Sequence, residues 1–145
     1  VSIDTNIIIT ILTRSEKIEQ ARSIFNLLKD EELAITLGIL EEVAYVGLSC
    51  IYGCRAFKLR DALKKGLNLE SINFLEWLES FIKEMQIGIV SPPNDPTAVL
   101  KMIGYYRLLP ADAVIVATCK DNGVTKIATF DSDFMRVDFL EVIGT

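Results

Sequence analysis

The chain has 145 residues, a length that predicts a single domain, residues 1–145, able to bury a proper core without disulfides. Its 15 basic and 20 acidic residues give a net charge of -5, which argues against a simple nucleic-acid-binding module but not against an enzyme that meets phosphate through a metal ion. The sequence contains no run of eighteen apolar residues, and its first residues do not read as a basic segment followed by an apolar one. We therefore expect a cytoplasmic protein without a membrane partner.

Cysteine and apolar content add two further expectations. Three cysteines and no histidine cannot form a four-ligand zinc site from Cys and His alone, so we expect reduced cysteines packed as small apolar side chains. Apolar residues make up 50% of the chain, which either a self-association surface or a larger core would explain.

The first third of the chain predicts strands that alternate with helices. A strand over residues 1–3 ends at Asp4, and Thr5 or Asn6 is expected to cap the helix that follows. Next come an amphipathic helix over residues 16–29, a strand over 33–36 and a helix over about 39–48. Glu42 lies beside the apolar stripe of this last helix, whereas Glu41 lies nearly opposite it, so Glu42 is the acid that can turn inward.

The middle of the chain is helical and less distinctive. Residues 49–54 predict a loop, and residues 56–65 a helix whose basic face carries Lys58, Arg60, Lys64 and Lys65. Such a charge run is usually a solvated face, and contact with RNA phosphates is the alternative. The strong amphipathic pattern of residues 71–85 predicts a helix that faces the core or a partner surface.

The last third predicts two further helices and three strands. A strand over 86–90 precedes a helix with Pro96 at its first position and Asn94 or Asp95 as its cap. The apolar run 113–119 follows Asp112 directly and predicts a buried element, here a helix. A strand over 126–130 ends on Asp131, and a short strand follows at 141–143. This alternation predicts a three-layer α/β/α sandwich with a central, mainly parallel sheet of about five strands.

This architecture brings four acids to one place. In a parallel sheet all strands end at the same edge, where ligands bind. Asp4 and Asp131 end two strands there, Glu42 lies in the first turns of a helix that starts there, and Asp112 is expected to start another such helix. Each acid alone has an ordinary explanation as a cap, a turn former or a surface residue. Because no basic partner is evident for the set, a bound metal ion or other cation is an obvious candidate.

Four short motifs, in order along nearly the whole chain, resemble those of the PIN-domain family, which includes VapC-type toxins and other small prokaryotic ribonucleases. They are Ile3-Asp4-Thr5-Asn6, Glu42-Val43-Ala44-Tyr45, Pro110-Ala111-Asp112-Ala113 and Thr129-Phe130-Asp131-Ser132-Asp133-Phe134. Residues 49–85 match none of these motifs, so the resemblance does not indicate an RNA target.

The resemblance implies a metal-dependent endoribonuclease that leaves a 3′-hydroxyl and a 5′-phosphate. It assigns catalysis and metal binding to Asp4, Glu42, Asp112 and Asp131, with Asp133 assisting, and it places Thr5, Asn6 and Thr129 in the lining of the pocket. The basic residues nearest the predicted edge, and so the candidates for contacts with flanking phosphates, are Arg14, Lys17 and Arg107.

An all-oxygen ligand set without His or Cys suits one or two Mg²⁺ or Mn²⁺ ions and not Zn²⁺. Which acid acts as base toward the attacking water is left open, with Asp112 as the candidate.

The resemblance also implies partners. We expect the toxin of a toxin–antitoxin pair, with RNA as substrate, an antitoxin protein as inhibitor and a homodimer as the assembly. The alternatives are a nuclease of RNA processing and a non-catalytic PIN scaffold or interaction subunit. A haloacid-dehalogenase relative is disfavoured because its Asp-x-Asp pattern would open the fold, whereas here that pattern stands near the C-terminus.

Overall fold

A computed structural model describes all residues from Val1 to Thr145 and contains one sheet of five parallel strands in the order β3-β2-β1-β4-β5. The strands are β1 Ser2–Ile3, β2 Ala34–Ile35, β3 Gly88–Ile89, β4 Lys126–Ala128 and β5 Glu141–Ile143. At the centre, Ser2 pairs with Ala34 on one side and with Ile127 on the other. The predicted parallel sheet is confirmed, and β1 is its middle strand.

Seven helices and one short 3-10 helix connect the strands. They are α1 Thr5–Thr13, α2 Ile18–Leu27, α3 Leu37–Tyr52, α4 Ala56–Lys64, α5 Leu69–Glu84, α6 Pro96–Tyr106, α7 Pro110–Asp121 and the 3-10 helix Ser132–Arg136. Helix α1 packs on α2 and α3, α3 packs on α4 and α5, and α6 packs on α7. The chain moves outward from β1 through β2 to β3 and then returns past β1 to β4. Because crossovers between parallel strands are right-handed, this change of direction places α1–α5 on one face of the sheet and α6–α7 on the other. The three-layer α/β/α prediction is confirmed.

The core lies on both sides of the central strands. Ile3 and Ile127 of the sheet, Val43 of α3 and Val116 of α7 are fully buried. The apolar run predicted at 113–119 is thus a core helix, and only the first turn of α7 reaches the edge of the sheet. A rigid core therefore supports the ends of β1 and β4.

Several element boundaries differ from the predictions. Asp4, and not Thr5 or Asn6, caps α1, because its extended backbone lets its carboxylate accept the N–H of Thr5. Helix α7 begins at Pro110, whose fixed φ suits the first helical position, and not at Asp112. The cysteines are unpaired as expected, although Cys50 is exposed and not packed as an apolar residue.

The loop predicted at residues 49–54 is wrong for most of its length. Helix α3 continues to Tyr52, because the first residue that ends it is Gly53, which takes a left-handed conformation with φ 66°. Helices α3 and α4 then meet at a bend of 76°. No helix of the chain is by itself long and apolar enough to span a membrane, and this bent pair is the one combination that reaches the required length and apolar composition.

Candidate active site

Asp4 occupies the carboxyl end of the central strand and is held there by neutral groups. Its N–H donates to the carbonyl of Ala128 (2.9 Å), so the pairing of β1 with β4 fixes the residue. Its carboxylate accepts from the Thr5 N–H (2.7 Å), Asn6 Nδ2 (3.0 Å) and Thr129 Oγ1 (2.6 Å). Asp4 is only 6% exposed, and this burial raises its pKa although the bonds from Thr129 and Thr5 oppose the shift. The carboxylate therefore has hydrogen-bond donors but no cationic partner.

Asn6 and Thr129 tie the ends of β1 and β4 together. Asn6 Nδ2 donates to Thr129 Oγ1 (3.1 Å), and Asn6 Oδ1 accepts from the N–H of Phe130 (3.1 Å). The hydroxyl of Thr129 also accepts from the N–H of Asp131 (3.0 Å). The two residues therefore fix Asp4 and the backbone of Asp131 relative to each other, and both line the edge where the sequence placed them.

Glu42 reaches the same edge from the second turn of α3. The cap of this helix is Thr36, whose hydroxyl accepts the N–H of Ile39 (3.0 Å) just beyond β2. The carboxylate of Glu42 accepts from Thr5 Oγ1 (2.8 Å), so α1 orients it. The residue is exposed and faces this edge, in contrast to the expectation that it turns toward the interior.

Asp112 stands in the first turn of α7, and its carboxylate takes part in no hydrogen bond. Burial, together with the negative charges of Asp4, Asp131, Glu42 and Asp133, raises its pKa to about 6. The predicted acids thus act on one another electrostatically, which places them in one region.

The carboxylate of Asp131 caps the 3-10 helix by accepting the N–H of Asp133 (2.8 Å). Asp133 in turn accepts from Arg136 Nη1 (2.8 Å), so it is the one predicted site acid with a basic partner. Arg136 also donates to the carbonyls of Tyr106 (2.9 Å) and Arg107 (2.8 Å) and thereby links the 3-10 helix to the turn before α7. The i, i+3 spacing of Asp133 and Arg136 was the available sequence signal, and it was missed.

The three predicted phosphate contacts lie in different settings. Lys17 Nζ lies over the ring of Phe130, 4.8 Å from the ring centroid. Phe130 directly precedes Asp131 in the sequence. Arg14 and Arg107 end α1 and α6 in left-handed conformations, with φ 48° and φ 56°. All three side chains lack a carboxylate within 4.0 Å, so their charges are available to a ligand.

The donor chemistry at this edge fits a hard divalent cation. Asp4, Glu42, Asp112 and Asp131 offer oxygen atoms, and the chain has no histidine. As placed, however, no three or more acidic or cysteine side chains form a ready-made ligand set around one point. The acids share an electrostatic environment without closing into a coordination sphere.

The fold and this edge define a class: an α/β/α protein with a group of acids at the edge where its central parallel strands end. The sequence model of the PIN domain family matches residues 1–140, which is nearly the whole chain. The chain therefore belongs to the PIN domain family.

Two curated relatives, both from Methanocaldococcus jannaschii, match parts of the chain. Ribonuclease VapC6 is 44% identical over 85 residues, which cover 56% of this chain and 56% of that protein. Ribonuclease VapC2 is 56% identical over 43 residues, which cover 30% of this chain and 29% of that protein. The match thus spans about half the length of the first relative and less than a third of the second.

Solved structures share the fold over nearly the whole chain. A FitAB complex bound to an IR36 DNA fragment matches with a TM-score of 0.66 and 21% identity, and it covers 98% of this chain and 92% of that one. FitAcB from Neisseria gonorrhoeae matches at 0.60 with 22% identity, covering 98% and 95%. VapBC2 from Rickettsia felis, bound to a DNA fragment from its promoter, matches at 0.60 with 16% identity, covering 98% and 96%. At these identities the likeness establishes the fold alone.

Proposed function

We propose that the chain is a single PIN domain, residues 1–145, that hydrolyses RNA phosphodiester bonds as a divalent-metal-dependent endoribonuclease. One observation carries the proposal: Asp4 is buried among neutral donors beside three further acids, Glu42, Asp112 and Asp131, whose charges no basic side chain offsets. Such an arrangement is costly without a cation, and a cation at a strand edge is suited to phosphate chemistry. Membership of the PIN domain family and similarity to ribonucleases VapC6 and VapC2 support the assignment.

In this proposal some side chains bind the metal, and others orient the carboxylates that bind it. We assign Asp4, Glu42, Asp112 and Asp131 to one or two Mg²⁺ or Mn²⁺ ions, with Asp133 as an outer contact because Arg136 already occupies it. When bound, the metal supplies polarisation of the scissile phosphate and a lowered pKa for an attacking water. Asn6, Thr129 and Thr5 keep the carboxylates of Asp4 and Glu42 in place.

Asp112 is the proton acceptor in this proposal. Its carboxylate takes part in no hydrogen bond within the protein, so an oxygen atom that the metal leaves free would be able to accept a proton from the attacking water.

The proposal extends to partners and to the setting of the reaction. Lys17, Arg14 and Arg107 would contact phosphates on either side of the scissile bond.

We further propose that the chain is the toxin of a cytoplasmic toxin–antitoxin pair, inhibited by an antitoxin protein, because the solved complexes that share its fold include FitAB and VapBC2 assemblies. Exposed Leu100, Tyr105 and Leu109 on α6 and the following turn offer apolar surface for a homodimer.

The test combines metal binding with RNA cleavage. We would titrate Mn²⁺ calorimetrically into the native protein, into Asp112→Asn and into Asp121→Asn, a matched change at the far end of the same helix. We expect saturable binding in the native and Asp121→Asn proteins and weakened binding in Asp112→Asn. Labelled single-stranded RNA should then be cut with Mg²⁺ or Mn²⁺ by the native and Asp121→Asn proteins and not by Asp112→Asn.

Absence of Mn²⁺ binding and of cleavage, with all three proteins folded by circular dichroism, would contradict the proposal. That result would favour a non-catalytic PIN scaffold, in agreement with the lack of a ready-made set of metal ligands. Cleavage without any toxic effect on growth would instead favour a nuclease of RNA processing.

A further inference from the structure

Residues 55–65, which we call the basic arm, concentrate positive charge in an acidic chain. The arm consists of Arg55 and α4 with the residue after it, and it carries five basic side chains and one acid, Asp61, a net charge of +4 in a chain of net charge -5. Only Arg60 has a carboxylate nearby, that of Asp61 at 3.7 Å. The positive field of the arm is therefore hardly neutralised by the protein itself.

The arm presents an aromatic ring together with this charge. Leu59 is buried and anchors α4, so Phe57, Arg60 and Lys64, at i, i+3 and i+7, share a solvent-facing side of the helix. Phe57 is 72% exposed, and the guanidinium of Arg60 lies 4.9 Å from its ring centroid. The guanidinium keeps one face of the ring ordered, and the exposure of the ring leaves it accessible to a ligand.

The arm is fixed to α3 near the sheet edge that carries Asp4, Glu42, Asp112 and Asp131, which we call the acid edge. The N–H of Ala56 donates to Tyr45 Oη (3.0 Å), and Tyr45 follows Glu42 by three residues, so the two lie about one helical turn apart on the same side of α3. Ala56 holds a left-handed φ of 53°, an unfavourable conformation for a residue with a Cβ, which this hydrogen bond helps to maintain. Between α3 and α4 runs an open groove of about 470 Å³, lined by Tyr45, Ala56, Leu59, Arg60, Leu63 and Lys64.

We propose that the basic arm binds the single-stranded RNA next to its scissile bond, with Arg60 and Lys64 on phosphates and Phe57 stacked on a base; this inference rests on the proposed function. Single-strand sites combine a positive groove with aromatic side chains on which bases stack, and the arm supplies both on one helix face. An acidic peptide would use the charges but would leave the exposed ring of Phe57 without a role. RNA is therefore the partner that the arm fits best.

Binding is tested without cleavage, by fluorescence anisotropy of a labelled twelve-nucleotide single-stranded RNA in EDTA over a range of salt concentrations. In Arg60→Gln/Lys64→Gln, the slope of log affinity against log salt should become shallower by about 1.4, since each phosphate contact contributes about 0.7 for a single strand. Phe57→Ala should lose affinity about tenfold at every salt concentration, because stacking depends little on salt. The matched control, Lys101→Gln/Lys120→Gln, removes the same charge from exposed positions on α6 and α7 and should keep the native slope.

Equal slope changes in the arm and control variants would overturn the proposal, because they would show diffuse attraction. Native RNA affinity in all arm variants would also overturn it, and a loss of polyglutamate peptide binding in the same variants would then assign the arm to an acidic protein. Because every substituted side chain is exposed, circular dichroism should show native folding.

Cleavage kinetics separate this inference from the proposed function. The arm variants should raise KM and leave kcat unchanged, because the substituted residues lie outside the acid edge. Arm-dependent RNA binding without cleavage would support the arm while refuting the nuclease. Cleavage with native KM in the arm variants would support the nuclease while refuting the arm.

Discussion

The acid edge and the basic arm are held in opposite ways. At the acid edge, Asp4, Asn6 and Thr129 are joined by buried or half-buried hydrogen bonds between residues more than a hundred positions apart. The arm is exposed, and the N–H of Ala56 reaches Tyr45 only eleven positions away. Catalytic groups need fixed geometry, whereas a surface that captures a flexible strand tolerates movement. The comparison predicts that substitutions at the edge affect turnover or stability and that substitutions in the arm affect substrate affinity.

Asp4→Asn should have the largest effect. It removes the most buried negative charge of the edge while keeping the shape of the side chain, so we expect RNA cleavage to fall by about a thousandfold or more. Because burial already raises the pKa of Asp4, the loss of its charge should not by itself unfold the protein. The amide accepts at one atom where the carboxylate accepts at two, so circular dichroism checks that the variant keeps the fold. Initial rates of cleavage of labelled RNA with Mn²⁺ measure the effect. Activity within tenfold of the native value would contradict a role of Asp4 in metal binding and catalysis.

Thr129→Val tests the network that holds the edge. The valine fills the same space but deletes a hydroxyl that donates to Asp4 and accepts from Asn6 and from the N–H of Asp131. Leaving these groups without partners should lower the free energy of unfolding by about 2–3 kcal/mol. Urea denaturation measures the loss, and Thr129→Ser, which keeps the hydroxyl, is the control. Equal stability of the Val and Ser variants would show that the network does not hold the edge.

The pH dependence of stability tests the electrostatics of the edge. In the folded protein the pKa of Asp112 is raised to about 6 from an ordinary value near 3.8, so the folded state binds the proton more tightly than the unfolded state. This contribution is fully present below the unfolded pKa, and it is lost as the pH rises through about 6. In EDTA, raising the pH from 4 to 7 should destabilise the native protein relative to Asp112→Asn by about 1–2 kcal/mol, after a discount for solvent screening of this half-buried group.

Thermal unfolding of the two proteins across this pH range measures the difference. Asp121→Asn should follow the native curve, because Asp121 is exposed at the other end of α7. Mn²⁺ should restore stability to the native protein at pH 7. Parallel native and Asp112→Asn curves would mean that neither burial nor the neighbouring acids raise the pKa of Asp112.

Tyr45→Phe should have the smallest effect and should be confined to the arm. It deletes the hydroxyl that accepts the N–H of Ala56, at a cost of about 0.5–1 kcal/mol. We expect KM for RNA to rise about two- to fivefold with kcat unchanged, because the arm loosens while Glu42 stays bound to Thr5. Steady-state kinetics measure both constants. A fall in kcat without a change in KM would assign Tyr45 to the acid edge and would contradict the division of roles between the acid edge and the basic arm.

The sequence determined the order of the elements and the positions of the acids. Apolar runs that end on Asp4 and Asp131 mark strand ends, and period-3.6 patterns mark the helices, because burial acts locally on these residues. Strand β5 has the predicted bounds, and the parallel sheet follows from alternation alone. Residues 49–52 were misassigned because Gly53, and not the small polar residues before it, ends α3.

Only the tertiary structure decided how the acids are held and which of them are paired. The bonds of Asn6 and Thr129 to Asp4, the pairing of Asp133 with Arg136 and the anchoring of Ala56 by Tyr45 depend on which side chains meet once the elements have packed. The raised pKa of Asp112 has the same origin, since it reflects burial and the charges of acids that are distant along the chain. Local patterns report the free energy of burying each segment, whereas hydrogen bonds and electrostatic coupling depend on distances that exist only in the folded chain.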